Sequence, residues 1–178
     1  MQKRLSILAV VLAVLLQCGC GYSLAGRGSF LPVSIKRIGI PLFTNATTVF
    51  DLDRRVTDKV RAEFIGRGKW TILPDQTGVD GLLSGTITSV SLSPVAFNTQ
   101  QQATRYALAM TGAVDFKDLQ TNKLLWTNRA MAYREEFDVP ASTDTLNTQT
   151  YFGQDTNALD RLSNEFARAL VSSLLEAF

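Results

Sequence analysis

The stretch Tyr106-Ala-Leu-Ala-Met-Thr-Gly-Ala-Val-Asp-Phe-Lys117 decides the fold, because it contains the most regular alternation of residue types in the chain. From Tyr106 to Phe116, every second residue is large and apolar apart from Gly112, and the residues between them are mostly small or polar. Successive side chains of a β-strand point to opposite faces of its sheet. The pattern therefore predicts a strand with one face in a core.

The residues after this strand predict a hairpin. Residues 118–123 read Asp-Leu-Gln-Thr-Asn-Lys, a turn in which Asn122 is able to adopt a positive φ. Residues 124–137 form the return strand, which begins with Leu-Leu-Trp and becomes polar from residue 133. Two long strands joined by a tight turn indicate an antiparallel sheet.

Further strands are predicted upstream of this hairpin. Residues 81–92 predict one, with a bulge at Gly85 because the apolar positions change parity along the segment. A polar connection of residues 94–104 follows it. Residues 33–43 predict the first strand of the chain, and Pro41 marks its end or a sheet edge. Residues 44–48 read as a polar loop and residues 69–74 as a short extended run.

Two segments have the period of amphipathic helices. The first starts at Asp51, a residue able to cap it, and ends at Gly66 or Gly68. Its apolar stripe consists of Leu52, Val56, Val60 and Phe64. The second runs from about Thr156 to Phe178. Its stripe consists of Leu159, Leu162, Phe166, Ala169, Leu170, Leu174 and Phe178, widened by Val171 and Leu175.

These elements predict an α+β fold in which two amphipathic helices pack on one face of a roughly four-stranded, mostly antiparallel sheet, giving a two-layer sandwich. The order of elements is strand, helix, three strands, helix, without a sustained parallel rhythm. Residues 139–155 are rich in Thr, Asn, Ser and Gln and read as a loop. We expect residues 33–178 to form a single domain.

The start of the chain reads as a signal peptide. Lys3 and Arg4 precede an apolar run over residues 5–16, which is shorter than the roughly 20 residues needed to cross a bilayer. Two cysteines, Cys18 and Cys20, follow the run. A cysteine in this position indicates lipidation: the thiol takes a diacylglycerol, the signal is cut before it, and the acyl chains hold the protein to a membrane.

Cys20 is the preferred lipidation site, because the small Gly19 precedes it, whereas the bulky Gln17 precedes Cys18. Cys18 is the alternative, and a disulfide between the two cysteines would be strained. The preferred site divides the chain into a signal peptide of residues 1–19, a lipidated N-terminus and tether of residues 20–32, and the folded domain. Neither cysteine is followed by Asp, so we expect delivery to the outer membrane.

Composition argues against catalysis. The chain has no histidine and only the two cysteines at the signal junction, which removes most zinc sites, Ser-His-Asp triads and Cys-His dyads. Without Lys3 and Arg4, the 18 basic residues become 16 and equal the 16 acidic ones, so no basic bias indicates nucleic acid. We expect no metal, no cofactor other than the acyl anchor, and no enzyme. An enzyme would need a carboxylate pair drawn from Asp75, Asp80, Asp115, Asp118, Glu135 and Glu136.

An ordered series of segments resembles the LptE family of lipopolysaccharide-assembly lipoproteins over nearly the whole mature chain. Cys-Gly-Tyr-Ser-Leu at the lipidation site opens the series, and no single segment is specific alone. The segments are residues 20–24, 38–43 with Asn45, 52–64, 80–85, 105–108 and 118–126.

The resemblance implies an outer-membrane lipoprotein that faces the periplasm and sits largely inside the β-barrel of LptD as its plug. It implies help in assembling that barrel and in moving lipopolysaccharide to the outer leaflet. It also implies lipopolysaccharide binding by basic side chains near loops at one end of the sheet. In this sequence Arg105 and Arg134 are the residues available for that role.

A second hypothesis remains open. Periplasmic scaffold or activator lipoproteins that regulate a cell-wall synthase also place a strand ending in Pro-x-Phe before an amphipathic helix, as Ile40 to Phe64 does here. The long alternating hairpin and the Cys-Gly-Tyr start favour the LptE-like reading. Co-purification separates the two, because one predicts a large outer-membrane barrel as partner and the other a penicillin-binding protein.

Overall fold

Three long strands and two helices make up most of the computed structural model, which describes residues 31–139 and 156–178. In chain order the elements are β1 (Arg37–Gly39), β2 (Thr44–Asn45), α1 (Leu52–Gly66), β3 (Thr71–Leu73), β4 (Gly81–Phe97), β5 (Ala103–Asp118), β6 (Lys123–Asp138) and α2 (Thr156–Glu176).

The described strands form one mixed sheet of six strands in the order β3-β1-β4-β5-β6, with β2 also paired to β4. The pairs β4–β5 and β5–β6 are antiparallel, whereas β1–β3, β1–β4 and β2–β4 are parallel. The α+β class and the two helices are confirmed. The prediction of about four mostly antiparallel strands holds only for the long β4–β5–β6 part of the sheet.

The first predicted strand is mostly not a strand. Only residues 37–39 of the predicted 33–43 pair as β1, and β2 lies where the sequence reads as a loop. Two side chains of α1 form hydrogen bonds with the main chain between β1 and β2. The guanidinium of Arg61 donates to the carbonyl of Ile40 from Nε at 2.9 Å, and Thr57 Oγ1 accepts from Phe43 N–H at 2.9 Å. The ladder is interrupted because these groups bond to a helix.

Gly85 is not a bulge, which corrects the sequence prediction. It pairs regularly with Val114, and the first register shift of β4 lies between Ile87 and Ser89. A Cβ at Gly85 would lie 2.6 Å from Cε2 of the buried Phe43 ring, so the glycine makes room for that ring. Strand β4 also continues to Phe97, through part of the predicted connection.

The β5–β6 turn and the helix stripes agree with the sequence more closely. Asn122 has a φ of 58°, as its place in the turn predicts. The buried set contains Leu52, Val56, Val60, Phe64, Leu159, Leu162, Phe166, Leu170, Val171, Leu174 and Leu175. Phe178 is 47% exposed, because α2 ends at Glu176. Asp51 makes no side-chain cap; its carboxylate pairs with Arg54 instead, at 2.9 Å.

Both helices cover the same face of the sheet. The Phe166 ring of α2 lies 3.1 Å from the position of a Cβ on Gly112. The Phe43 ring lies over Gly85 on that same face, and the Phe43 N–H donates a hydrogen bond to Thr57 of α1. The helices contact each other through Lys59 and Asp160, whose Nζ and Oδ2 are 2.9 Å apart. The core thus fills the space between one sheet face and the two helices.

The long strands have two ends, named here the Asp80 end and the Phe97 end. The Asp80 end comprises residues 31–37, 79–81 and 118–123, where β1 and β4 begin and the β5–β6 turn lies. Ile35 belongs to it, since its Cγ2 lies 3.2 Å from the position of a Cβ on Gly81. The Phe97 end comprises residues 94–105 and 137–138, at the other end of the long strands.

Candidate functional site: the open face of the sheet

The face of the sheet opposite the helices, here called the open face, carries mostly small side chains. Residues directly opposite each other in antiparallel strands share a face, so the pairing register identifies its members. Three successive rows across β4, β5 and β6 are Ser89–Thr111–Ala132, Ser91–Ala109–Arg134 and Ser93–Ala107–Glu136. The open face is therefore a shallow surface, and in these three rows its charged residues, Arg134 and Glu136, lie on β6.

Arg105 and Arg134 both lie on the open face towards the Phe97 end. Arg105 is opposite Asp138, and Arg134 is opposite Ala109, so four residues of β5 separate their rows. Strand geometry then puts their Cα atoms about 14 Å apart. The structure places the two predicted residues on one surface but does not bring them together.

Each of these arginines has a carboxylate partner. Arg105 Nε lies 2.8 Å from Asp138 Oδ1, and Arg134 Nη2 lies 3.0 Å from Glu136 Oε1. The hydrogen bond to Asp138 raises the pKa of Arg105, which is therefore a cation at every relevant pH. A phosphate that binds either arginine must compete with a carboxylate already in place.

A further open-face cation, Arg129, was not singled out by sequence reasoning. Its Nη1 lies 3.4 Å from Asp115 Oδ2, and Thr127 Oγ1 donates to Asp115 Oδ1 at 2.6 Å. Arg129 belongs to a bulge, because β6 passes from Asn128 to Met131 while β5 passes from Val114 to Gly112. The polar composition of this segment gives no periodic signal from which such a bulge is predictable.

Asp80 is held as a structural carboxylate. It accepts hydrogen bonds from the main-chain N–H groups of Lys36 at 3.1 Å and Arg37 at 2.9 Å, from Arg37 Nη2 at 3.3 Å and from Gln120 Nε2 at 3.1 Å. The bond from the Arg37 N–H is the largest cause that lowers the pKa of Asp80 to about 2, against the opposing effect of burial. The carboxylate thereby joins β1, β4 and the β5–β6 turn.

Asp118 has a similar local role. Burial raises its pKa, but hydrogen bonds from Thr121 and from the main-chain N–H of Gln120 outweigh that effect, and the net shift is downward. Glu135 is not part of this group of carboxylates; its Oε1 lies 3.3 Å from Arg161 Nε of α2. Within the described part of the chain, no three Asp, Glu, Cys or His side chains lie close enough together to hold a metal ion.

Both candidate lipidation residues, Cys18 and Cys20, lie outside the described residues, as do the signal peptide and most of the tether. Within the described ranges, neither helix has the length and apolar character required to cross a membrane.

A sequence model of the LptE lipopolysaccharide-assembly family matches residues 35–174, which include every strand and nearly all of α2. The chain belongs to the LptE family. The family is a non-enzymatic one, which confirms the prediction that this protein is not an enzyme. The LptE match also identifies the protein as a lipopolysaccharide-assembly lipoprotein of the cell envelope.

Solved structures share the fold of this LptE-family chain at low sequence identity. The solution structure of lipoprotein B from Nitrosomonas europaea is similar with a TM-score of 0.51 and 11% identity, covering 88% of this chain and 96% of that one. The hypothetical protein CT253 from Chlamydia trachomatis is similar with a TM-score of 0.52 and 7% identity, covering 79% and 96%. A search of curated protein sequences found no match.

Proposed function

We propose that this protein is an outer-membrane lipoprotein that plugs the β-barrel of an LptD-like partner, supports assembly of that barrel and assists transport of lipopolysaccharide to the outer leaflet. The observation that carries the proposal is the family match over residues 35–174. The acyl anchor is placed on Cys20, with Cys18 as the alternative, and the folded domain faces the periplasm.

The described surface supports a plug. The lumen of an outer-membrane barrel is polar, and the open face has short serine, threonine and alanine side chains in its rows across β4 and β5. The mature chain is formally neutral, with 16 acidic residues against the 16 basic ones left after Lys3 and Arg4. Such a surface enters a confined polar space without burying a large unbalanced charge.

The tether gives the plug a direction. Residues 20–30 lie between Cys20 and the described domain, and they reach at most about 38 Å when fully extended. The chain enters the domain at the Asp80 end, where Ile35 packs beside Gly81. We infer that the Asp80 end faces the acylated leaflet and that the Phe97 end lies deeper in the barrel.

A detergent pull-down of the acylated protein from outer membranes tests the proposal. We expect a large β-barrel as the main captured protein and loss of both fatty-acid label and capture in Cys20→Ala, because an unacylated chain is not delivered to the outer membrane. Metabolic labelling with a fatty acid and mass spectrometry of the captured band measure the two results.

Other outcomes of this experiment are equally decisive. If the fatty-acid label persists on Cys20→Ala and disappears from Cys18→Ala, the acylated residue is Cys18. Capture of a penicillin-binding protein in place of a barrel contradicts the plug role and supports the scaffold or activator hypothesis.

Lipopolysaccharide binding through Arg105 and Arg134 is a separate part of the proposal. We expect Arg105→Glu to weaken binding to purified lipopolysaccharide about tenfold at low salt, with a smaller difference at high salt, because a charge-assisted hydrogen bond to phosphate is lost. Direct binding measurements at two ionic strengths test this.

The matched control for that substitution is Arg168→Glu, since Arg168 Nη1 also pairs with a carboxylate, Glu165 Oε1, at 2.8 Å on the helix side. It should leave binding unchanged. Asp138→Asn should strengthen binding, because it removes the competitor of the phosphate. Equal affinities for wild type and Arg105→Glu would exclude Arg105 from the binding site.

A further inference from the structure

In the part of the chain that the structure describes, the outer edge of β4 has no neighbouring strand over half its length. On the side away from β5, β1 pairs with Gly81–Leu82 and β2 pairs with Thr86–Ile87. The Ala46 N–H donates to the Ile87 carbonyl at 3.0 Å, and beyond it no described strand pairs with this edge. From residue 88 to Phe97, among residues 31–139 and 156–178, β4 has only β5 beside it.

This edge differs from the other edges of the sheet in its charge. The sequence from Gly81 to Thr104 contains no Asp, Glu, Lys or Arg. The opposite edge strand, β6, carries six charged residues, and the edge strand β3 has only three residues. Charges, bulges and short length protect edge strands from pairing with other chains. The outer edge of β4 has no charges to protect it in this way.

Side chains along the edge leave room for another strand. Ser89, Ser91 and Ser93 are exposed and short, and Val90 and Leu92 between them are partly buried against the core. Pro94 has no N–H, and the register shifts on either side of Ala96 end the regular ladder. Five residues, Ser89–Ser93, therefore form the usable segment.

We propose that the outer edge of β4 over Ser89–Ser93 is a strand-addition site for an extended, uncharged segment of the partner barrel. Main-chain N–H and C=O groups on an unpaired edge select an extended backbone as their partner, and alternate side chains refine the choice. An uncharged partner segment fits, because a charged one would be desolvated against an edge that has no counter-charge. The inference rests on the proposed plug function.

The position of the edge indicates which part of the barrel supplies the segment. Ser89–Ser93 lies 8 to 12 residues beyond Gly81, or about 26–40 Å from the tethered Asp80 end. That distance is comparable to the roughly 30 Å thickness of the hydrocarbon core, so the edge lies inside the barrel. Wall strands of a closed barrel are paired on both sides. The added strand is therefore an inward-folded loop segment of the barrel chain.

Two matched lysine substitutions test this inference in the full-length acylated protein. Ser91→Lys places a charge on the exposed edge segment. Ser84→Lys places the same charge on the same strand and the same face, at an exposed residue between the sections covered by β1 and β2. We expect Ser91→Lys to reduce capture of the barrel from outer membranes at least tenfold and Ser84→Lys to leave it unchanged.

Photo-crosslinking identifies the occupant directly. A benzophenone amino acid replacing Ser91 should give an adduct with a loop peptide of the barrel, found by mass spectrometry, and the same probe replacing Ser84 should not. Adducts with a second copy or within one chain overturn the inference, as does equal capture by both lysine variants with no barrel adduct from position 91. A wild-type protein that captures no barrel overturns the plug function, and this inference with it.

Discussion

Phe64→Ala should lower the free energy of unfolding by about 3–5 kcal/mol, because it removes a fully buried ring and leaves a cavity in the core. Phe64 is fully buried on α1, and its ring meets Trp70 edge to face, with centroids 6.0 Å apart and planes at 79°. The substitution removes the buried ring and this aromatic contact together. Urea unfolding followed by tryptophan fluorescence measures the loss.

Phe50→Ala is the matched control for Phe64→Ala. Phe50 is 91% exposed and lies just before α1, so removing its ring should change the free energy of unfolding by less than about 0.5 kcal/mol. Equal unfolding midpoints for Phe64→Ala and wild type would show that Phe64 does not point into the core and that the register of α1 is wrong.

Asp80→Asn should cost about 2 kcal/mol of unfolding free energy at neutral pH. The carboxylate oxygens of Asp80 accept hydrogen bonds from Lys36, Arg37 and Gln120. The amide of Asn has the same shape, but it carries no charge and only one of its two terminal atoms is an acceptor. Unfolding of both proteins in urea at pH 7 measures the difference. Asp58→Asn, at an exposed carboxylate 3.5 Å from Arg61, is the control and should have little effect.

The loss of unfolding free energy in Asp80→Asn should also depend on pH, and the direction of the pKa shift of Asp80 determines whether this loss grows or shrinks in acid. The pKa of Asp80 in the folded protein is about 2, below the ordinary 3.8, so the folded state favours the ionised form. The stabilisation is therefore complete above about pH 4 and is lost as the pH falls towards 2. The difference between wild type and Asp80→Asn should shrink over that window, and a constant difference would exclude the ionised carboxylate as its source.

The sequence predicts those parts of the fold that repeat a pattern several times. The segment from Tyr106 to Lys117 contains six alternations, and the stripes of α1 and α2 extend over several turns, so β5 and both helices could be identified. Strands β1, β2 and β3 have two or three residues each, too few for any alternation to be recognised. Their parallel pairing therefore appears only in three dimensions.

The bulge in β4 shows a second limit of sequence reasoning. A change of apolar parity does occur along this strand, and its cause is the register shift between Ile87 and Ser89. Gly85 attracts attention as the only glycine inside the segment, yet it serves the Phe43 ring, which comes from a part of the chain more than 40 residues earlier. The need for glycine at position 85 comes from a contact between segments that are distant in the chain, and the local sequence pattern carries no information about that contact.

The candidate site was predictable only in part for the same reason. Arg105 and Arg134 could be selected by residue type and by their place near loops, but the partner of Arg105 is Asp138, 33 residues away. The open face is predictable as the small-residue side of β5. The unpaired edge of β4 is not, because it exists only where the pairing with β2 stops at Ile87.

The hydrogen bonds of Asp80 also bear on when the domain is able to fold during secretion. They join Lys36 and Arg37 to a side chain more than 40 positions later and to Gln120 later still. A chain that crosses the inner membrane from its N-terminus cannot complete these bonds until residue 120 has emerged, and contacts of such long sequence separation form slowly. The Asp80 end therefore cannot close before about two thirds of the chain is available, so the order of folding at this end is set by the β5–β6 turn.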